Sequence, residues 1–297
     1  MMLHFKTISD LRKGAGFAPP EHPQLSLLTG LRTCPLQGQK FTMDCYMISL
    51  KRLIGGVMLY GRTPYDHHNG CLSFIKPRQV LQFNDLELVE DGFMICVHED
   101  FFNAHPLQNQ LRNYHFFEYE IDEALHLSPR EEAVIWELYR KIETEYNTNQ
   151  DEYSRDIMLT HLDSILKYSQ RYYKRQFINR AEASGKTISR FNRILSAYIS
   201  GGSLFSKGLP TVNQLADELN LSPRYLSDLL KQETGKTAIE LIHITMIAEA
   251  KNRLRSEDRN VSEIAFALGF ENLSYFSKLF KREVGVSPNV YRKQFLN

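Results

Sequence analysis

The sequence contains no run approaching the ~20 apolar residues that a membrane-spanning helix needs, so no such helix is expected. Its amino end, Met1-Met2-Leu3-His4-Phe5-Lys6, lacks the charged head, apolar stretch and small-residue cleavage site of a signal peptide, and the expectation is a cytoplasmic protein. Cysteines are few. Cys34, Cys45, Cys71 and Cys96 stand 11, 26 and 25 residues apart, so no Cys-x-x-Cys pair exists. That argues against a structural zinc site or a thioredoxin-like motif, and the thiols read as small buried hydrophobes. Gly-x-Ser-x-Gly, Gly-x-x-x-x-Gly-Lys and His-Glu-x-x-His are all missing, which removes the common signatures of hydrolases, P-loop nucleotide binders and zinc proteases. No cofactor is implied. With 42% hydrophobic and 24% charged residues, the composition is that of a folded chain rather than a disordered or fibrous one.

At 297 residues the chain has room for about two domains of roughly 100–200 residues each. Its net charge of only +1 hides a division. Residues 1–165 carry 15 Lys+Arg against 23 Asp+Glu, and residues 166–297 carry 21 against 12. The acidic half and the basic half therefore point to different jobs, with the basic half facing a polyanion.

Up to about residue 127 the pattern is of short strands. Residues 41–50 mix alternation with β-formers, and glycine opens the apolar runs at Gly70-Cys71-Leu72-Ser73-Phe74-Ile75 and Gly92-Phe93-Met94-Ile95-Cys96-Val97. This predicts an antiparallel barrel or sandwich. At Ser128-Pro129-Arg130-Glu131 a capping box with proline at the first helical position predicts a helix. A second helix is expected from Tyr153 to about Arg175, with Ile157, His161 or Leu162, Ile165 and Tyr168 on one face. Either the barrel or a second copy of the chain must cover these helices. Residues 128–177 are therefore assigned to dimerisation, 178–187 to a linker and 188–297 to a third region. Across residues 167–193, Lys167, Arg171, Lys174, Arg175, Arg180, Lys186, Arg190 and Arg193 are opposed only by Glu182. A solvated face and an auxiliary phosphate contact are both open for that stretch.

Residues 211–235 and 260–285 are one unit written twice. Leu215-Ala216 and Leu219-Asn220-Leu221 repeat as Ile264-Ala265 and Leu268-Gly269-Phe270 at an offset of 49. Tyr225-Leu226-Ser227 and Leu229-Leu230-Lys231 repeat as Tyr275-Phe276-Ser277 and Leu279-Phe280-Lys281 at an offset of 50. Thr211-Val212-Asn213-Gln214 and Asn260-Val261-Ser262-Glu263 are capping boxes. Asn220 and Gly269 stand where a tight turn demands positive φ. Ser222-Pro223 caps and starts the next helix. Ala216 and Ala265 let two helices approach closely. Each copy is a helix-turn-helix, and both tyrosines are expected to pack inward. Between the copies, residues 237–255 form a connecting helix with Ile242, Met246, Ala250 and Leu254 on its apolar side. About 18 residues at 1.5 Å rise span roughly 27 Å. That is enough to set two recognition helices about one DNA turn apart.

The second copy, from Val261-Ser262-Glu263-Ile264-Ala265 through Gly269-Phe270 to Phe276-Ser277-Lys278-Leu279-Phe280-Lys281, then Gly285-Val286-Ser287-Pro288 and Tyr291-Arg292, resembles the AraC/XylS family of bacterial transcription regulators. The β-rich N-terminal region resembles that family's cupin-like effector and dimerisation domain. The resemblance implies an α+β protein: a cupin-like β-barrel with two helices, then an all-α domain of two helix-turn-helix motifs joined by a long helix. It implies double-stranded DNA and RNA polymerase as partners, a homodimer, a small-molecule effector and activation of transcription. By resemblance, base-reading positions fall on Arg224, Ser227, Asp228 and Lys231 in the first copy and on Leu273, Ser274, Ser277 and Lys278 in the second. Arg224 matches guanine O6 and N7. Lys231, Lys278 and Lys281 suit phosphate. Family members often carry arginine where this chain has Asp228. An acid there repels phosphate, and it suits pinning Arg224 or Arg190 instead.

A metal-dependent cupin enzyme is the rival reading, prompted by His67-His68, His98, His105 and His115. Adjacent histidines on a strand face opposite ways, so His67 and His68 do not make the paired ligands such a site needs. An alkyl-accepting cysteine would need a thiolate cluster that the cysteine spacings do not provide.

Overall fold

In this computed structural model the described residues are 2–30, 35–36, 38–51, 59–60, 63–64, 70–82, 91–119, 123–183, 186–201, 203–256 and 258–294. The chain divides into two units, Met1–Gln176 and Phe177–Asn297.

The first unit carries strands β1 (Leu3–Phe5), β2 (Leu25–Thr29), β3 (Lys40–Met43), β4 (Cys45–Lys51), β5 (Leu59–Tyr60), β6 (Thr63–Pro64), β7 (Cys71–Ile75), β8 (Leu81–Gln82), β9 (Phe93–His98) and β10 (Leu125–His126). Helices α1 (Ile8–Gly14), α2 (Leu107–Gln110) and α3 (Pro129–Tyr146) belong to it, and α4 (Ser154–Ala183) begins in it. A five-stranded antiparallel sheet runs β10-β7-β4-β9-β2. A three-stranded sheet runs β1-β3-β8, with β1 parallel to β3. β5 pairs with β6.

The expected barrel does not close among the described residues, which form separate sheets around a common core. The chain passes from the small sheet to the large one at Asp44, where it leaves β3 and enters β4. Its backbone N–H donates to the Phe5 carbonyl at 3.0 Å rather than to a neighbour in the large sheet. Its carboxylate lies 3.2 Å from Arg78 Nε and 3.4 Å from His4 Nε2. Phe41 and Met43 on one side of this corner, and Cys45, Met47, Ile75 and Cys96 on the other, bury into one cluster with Phe5 and Ile8.

The opposite face of the large sheet, carrying Ile48, Phe74, Phe93 and Ile95, is also buried. Phe93 stacks on Tyr139 of α3 with centroids 4.2 Å apart. Phe74 lies 4.3 Å from Phe116, which stacks in turn on Tyr173 of α4 at 5.6 Å. A strand covered on both faces has no solvent side, which explains why β4 shows little alternation.

Ser128 and Glu131 form the anticipated capping box at α3. The Glu131 carboxylate also accepts from Arg175 of α4 at 2.7 Å, and Arg175 donates to the His126 carbonyl at 2.8 Å. Lys167 pairs with Asp163 at 2.7 Å. Two cations of the basic stretch are thus occupied within this unit.

Two expectations change along α4. Residues 178–183, assigned to a linker, continue the helix; residues 184–185 lie outside the described set. The stripe Ile157, His161, Ile165 and Tyr168 is not one face. At 100° per residue, Ile165 sits about 80° round from Ile157. Ile165 and Leu162 are buried, whereas Ile157 is 40% exposed and Tyr168 36%.

Ile165→Glu should therefore unfold the first unit, because a carboxylate would be buried without a partner at a cost of several kcal/mol, on the order of 3 or more. Ile157→Glu should leave the melting transition within about 0.5 kcal/mol of wild type. Circular dichroism melts of the two variants check this, and equal effects would contradict the assigned faces.

Candidate nucleic-acid interface

The second unit contains α5 (Lys186–Ser200), α6 (Ser203–Lys207), α7 (Val212–Leu219), α8 (Pro223–Thr234), α9 (Ala238–Ser256), α10 (Val261–Ala267), α11 (Leu273–Val284) and α12 (Pro288–Lys293). Both copies of the repeat fold alike. Thr211 caps α7 with Gln214 as its reciprocal partner, and Asn260 caps α10 with Glu263. The turn after α7 passes through Asn220 at φ 54°, and the turn after α10 passes through Gly269 at φ 81°. Gly269 has a second constraint that its spacing did not reveal. A Cβ there would lie 2.6 Å from the carbonyl carbon of Gly208. Ser222 caps α8 and Asn272 caps α11, and both helices end at left-handed glycines, Gly235 and Gly285.

Leu226, Leu229 and Leu230 of α8 bury on one side, as do Phe276, Leu279 and Phe280 of α11. The burial fixes which side of each helix faces out. On α8 the outward row is Arg224, Ser227, Asp228 and Lys231. Arg224, Ser227 and Asp228 are half-buried and Lys231 is exposed. Arg224 Nε lies 3.6 Å from Asp228 Oδ2, four residues on. The acid therefore does stand beside Arg224 and offsets its charge. On α11, Leu273, Ser274, Lys278 and Lys281 are exposed and Ser277 is half-buried. The two rows differ chemically: the first carries an internal ion pair, and the second presents two lysines with no acid in the row.

The equivalent tyrosines part company. Tyr225 is fully buried, with the Phe177 ring 5.1 Å away. Tyr275 is 47% exposed and does not pack inward as expected. Its hydroxyl lies 3.1 Å from His243 Nε2 on α9. Burial, with help from Arg282, lowers the His243 pKa. Sequence spacing gave no sign of this contact, since it joins residues 32 apart across two helices.

The helix-turn-helix domain family matches residues 215–294. Among curated proteins, the chain is 29% identical over 142 residues to the HTH-type transcriptional activator RhaR of Yersinia pseudotuberculosis, covering 48% of this chain and 45% of that protein. It is 40% identical over 75 residues to RhaR of Cronobacter sakazakii, covering 25% and 26%. Residues 215–294 are thus similar to AraC/XylS-type helix-turn-helix domains. The AraC/XylS match spans less than half the length of these curated relatives. Among solved structures, the C-terminal domain of AraT, a response regulator from Geobacillus stearothermophilus, is 38% identical with a TM-score of 0.31, covering 35% of this chain and 84% of that one.

Outside the AraC/XylS domain, His67 and His68 lie outside the described residues, as does Cys34. His98 Nε2 is 3.0 Å from the Lys6 carbonyl, and His105 Nδ1 accepts from the Leu107 amide. Among the described residues no group of three His, Cys, Asp or Glu side chains is placed to hold a metal. Burial raises the Cys96 thiol to about 12 and, with Glu132 adding to it, the Cys71 thiol to about 12. Neither is a thiolate at neutral pH. The first unit also holds a partly open cavity of about 60 Å³ lined by Leu28, Phe41, Met43, Met47, Met94 and Cys96 among others.

Glu233, near the end of α8, is a further residue that sequence reading passed over. Neither carboxylate oxygen has a hydrogen-bond partner among the described residues, and burial raises its pKa. A carboxyl group whose folded pKa exceeds its unfolded value loses stability as pH rises between the two. Glu233→Gln should raise the melting temperature of the second unit at pH 7 by a few degrees. The difference should shrink to nothing below about pH 4, where both forms are protonated. Melts at the two pH values check this, and a variant less stable than wild type at pH 7 contradicts it.

Proposed function

We propose that the protein is a sequence-specific DNA-binding transcription regulator whose α8 and α11 enter successive major grooves. The observation that carries this reading is the duplicated, fully capped helix-turn-helix, with the outward row of each second helix turned away from the core and polar except for Leu273. A helix of this kind fits the major groove, where base edges present a distinct code. Arg224 reads guanine, with Ser227 and Asp228 beside it, and Asp228 restrains the guanidinium before contact. Leu273, Ser274 and Ser277 read the second groove through apolar and hydroxyl contacts. Lys231, Lys278 and Lys281 hold phosphates. Asn220 and Gly269 keep the two turns tight.

The relatives are named transcriptional activators, which supports activation through contact with RNA polymerase. A homodimer is proposed through α3 and α4. Tyr153, Ile157 and Tyr168 leave apolar surface exposed there, in place of the buried Ile165. The cupin-like role of the first unit is to hold an effector. Its cavity is lined mostly by apolar side chains, with Arg12 and Ser26 the polar exceptions, so the effector class it suits is a small, largely apolar molecule with at most a few polar atoms. The proposed setting is the bacterial cytoplasm. Among the described residues, His98 at the end of β9 engages the Lys6 carbonyl and His105 accepts from the Leu107 amide at the start of α2, so neither favours the rival enzymatic reading.

On a duplex selected from random sequence by the protein, Arg224→Ala should cost about 1–3 kcal/mol and relax one base position. Lys281→Ala should weaken all sequences alike and lower the salt slope by about one. Fluorescence anisotropy titrations at several salt concentrations read both. Equal loss on selected and random DNA for Arg224→Ala would remove it from base reading.

A further inference from the structure

We propose that Tyr275, His243 and Arg282 form a phosphodiester-binding flank on the second recognition helix, beside its base-reading row and separate from it. The proposal rests on the DNA-binding reading above and deepens it.

Helix geometry places the flank. At 100° per residue, Tyr275 and Arg282, seven residues apart, lie within about 20° of each other on α11. Ser274, Lys278 and Lys281 centre about 90° away, opposite the buried Phe276, Leu279 and Phe280. In a helix that sits in the major groove, the outermost row faces the base edges, its long lysines reach past them to phosphate, and the flanks lie against the two phosphate backbones. Tyr275 and Arg282 occupy the flank on the side of α9. Arg282 is well exposed, its side chain 62% accessible, and it pairs with its neighbour Glu283 at 2.8 Å. Tyr275 is half-exposed and keeps its hydroxyl at the surface.

The internal repeat supplies a control. At the offset of 50, Tyr225 is the counterpart of Tyr275. There the ring is sealed under Phe177 and presents nothing outward. The second copy leaves the same position open and turns its hydroxyl to a histidine from the connecting helix. The difference is chemical and points to a ligand that accepts hydrogen bonds.

His243 decides what the hydroxyl offers. The charged groups that act on it are Arg282 and Glu283 of α11 and Glu240 of its own helix. With burial and Arg282 disfavouring the imidazolium, the ring is neutral, and in its Nδ1–H tautomer Nε2 accepts the Tyr275 proton across the 3.1 Å contact. The hydroxyl then shows lone pairs to the outside, which repel a phosphate oxygen. When a phosphate approaches, its negative charge favours a proton from solvent on His243. Nε2 becomes the donor, the hydroxyl proton turns outward, and Tyr275 donates to the phosphate with Arg282 alongside. Contact and proton uptake are thereby coupled.

The test uses the full chain and a 30-base-pair duplex of random sequence, titrated at low salt between pH 6 and 8. Wild type should bind more tightly at pH 6. His243→Gln, which keeps a hydrogen bond to Tyr275 but takes up no proton, should remove about threefold to tenfold of that pH dependence. Tyr275→Phe should weaken binding about threefold or more at pH 6 on any sequence, and Arg282→Gln should lower the salt slope by about one. Melting curves establish that all three variants fold. If the variants keep the wild-type affinity, salt slope and pH dependence, the flank is not a phosphate site while the DNA-binding reading stands. If wild type itself binds no duplex at 50 mM salt, the DNA-binding reading falls and this inference with it.

Discussion

One buried stripe holds the second unit together. Ile242, Met246, Ala250 and Leu254 of α9 are all within 2% of full burial, and they join a single hydrophobic cluster with Leu226 and Leu230 from the first copy and Ile264, Phe276 and Phe280 from the second. The two helix-turn-helix copies therefore do not sit on independent cores. The helix that joins them, α9, is 19 residues and about 28 Å long. Everything the outward rows can do together depends on that helix. A charge or cavity in the stripe would loosen both copies at once, since interiors are packed too closely to absorb it locally.

Within that frame the copies have diverged. Each keeps its caps, its positive-φ turn and its buried row, because those features close a helix-turn-helix whatever it reads. The outward rows are free to change, and they have. An ion pair now sits on α8, lysines without an acid stand on α11, and one tyrosine is sealed while the other is open. The first copy offers a restrained guanidinium and little net charge. The second offers uncompensated charge on its outward row.

Much of the second unit was legible in advance because its signals are local. Capping boxes, the Asn220 and Gly269 turns and the 49- and 50-residue offsets each depend on a few neighbouring residues. The contacts that were missed link distant segments. Nothing near Tyr275 in sequence announces His243, and the close approach of Gly208 to Gly269 joins residues 61 apart. In the first unit, strands and the Ser128 box could be read, but the corner at Asp44 could not, since it depends on His4 of β1 and on Arg78 from the turn between β7 and β8. Ile165 was misassigned for a geometric reason: steps of four residues drift by 40° each, so a stripe traced over eight residues crosses from the exposed side to the core.

The central claim is that one chain carries two recognition helices set by α9 to read neighbouring major grooves. Hydroxyl-radical and methylation footprinting of the full chain on a selected duplex tests this most directly. The account predicts, for each bound chain, two groups of protected major-groove guanines and adenines about 10 base pairs apart on one face of the helix. Inserting about five base pairs between them should abolish tight binding, by turning the second group to the opposite face. A single protected group for each chain, with affinity indifferent to the insertion, would contradict it.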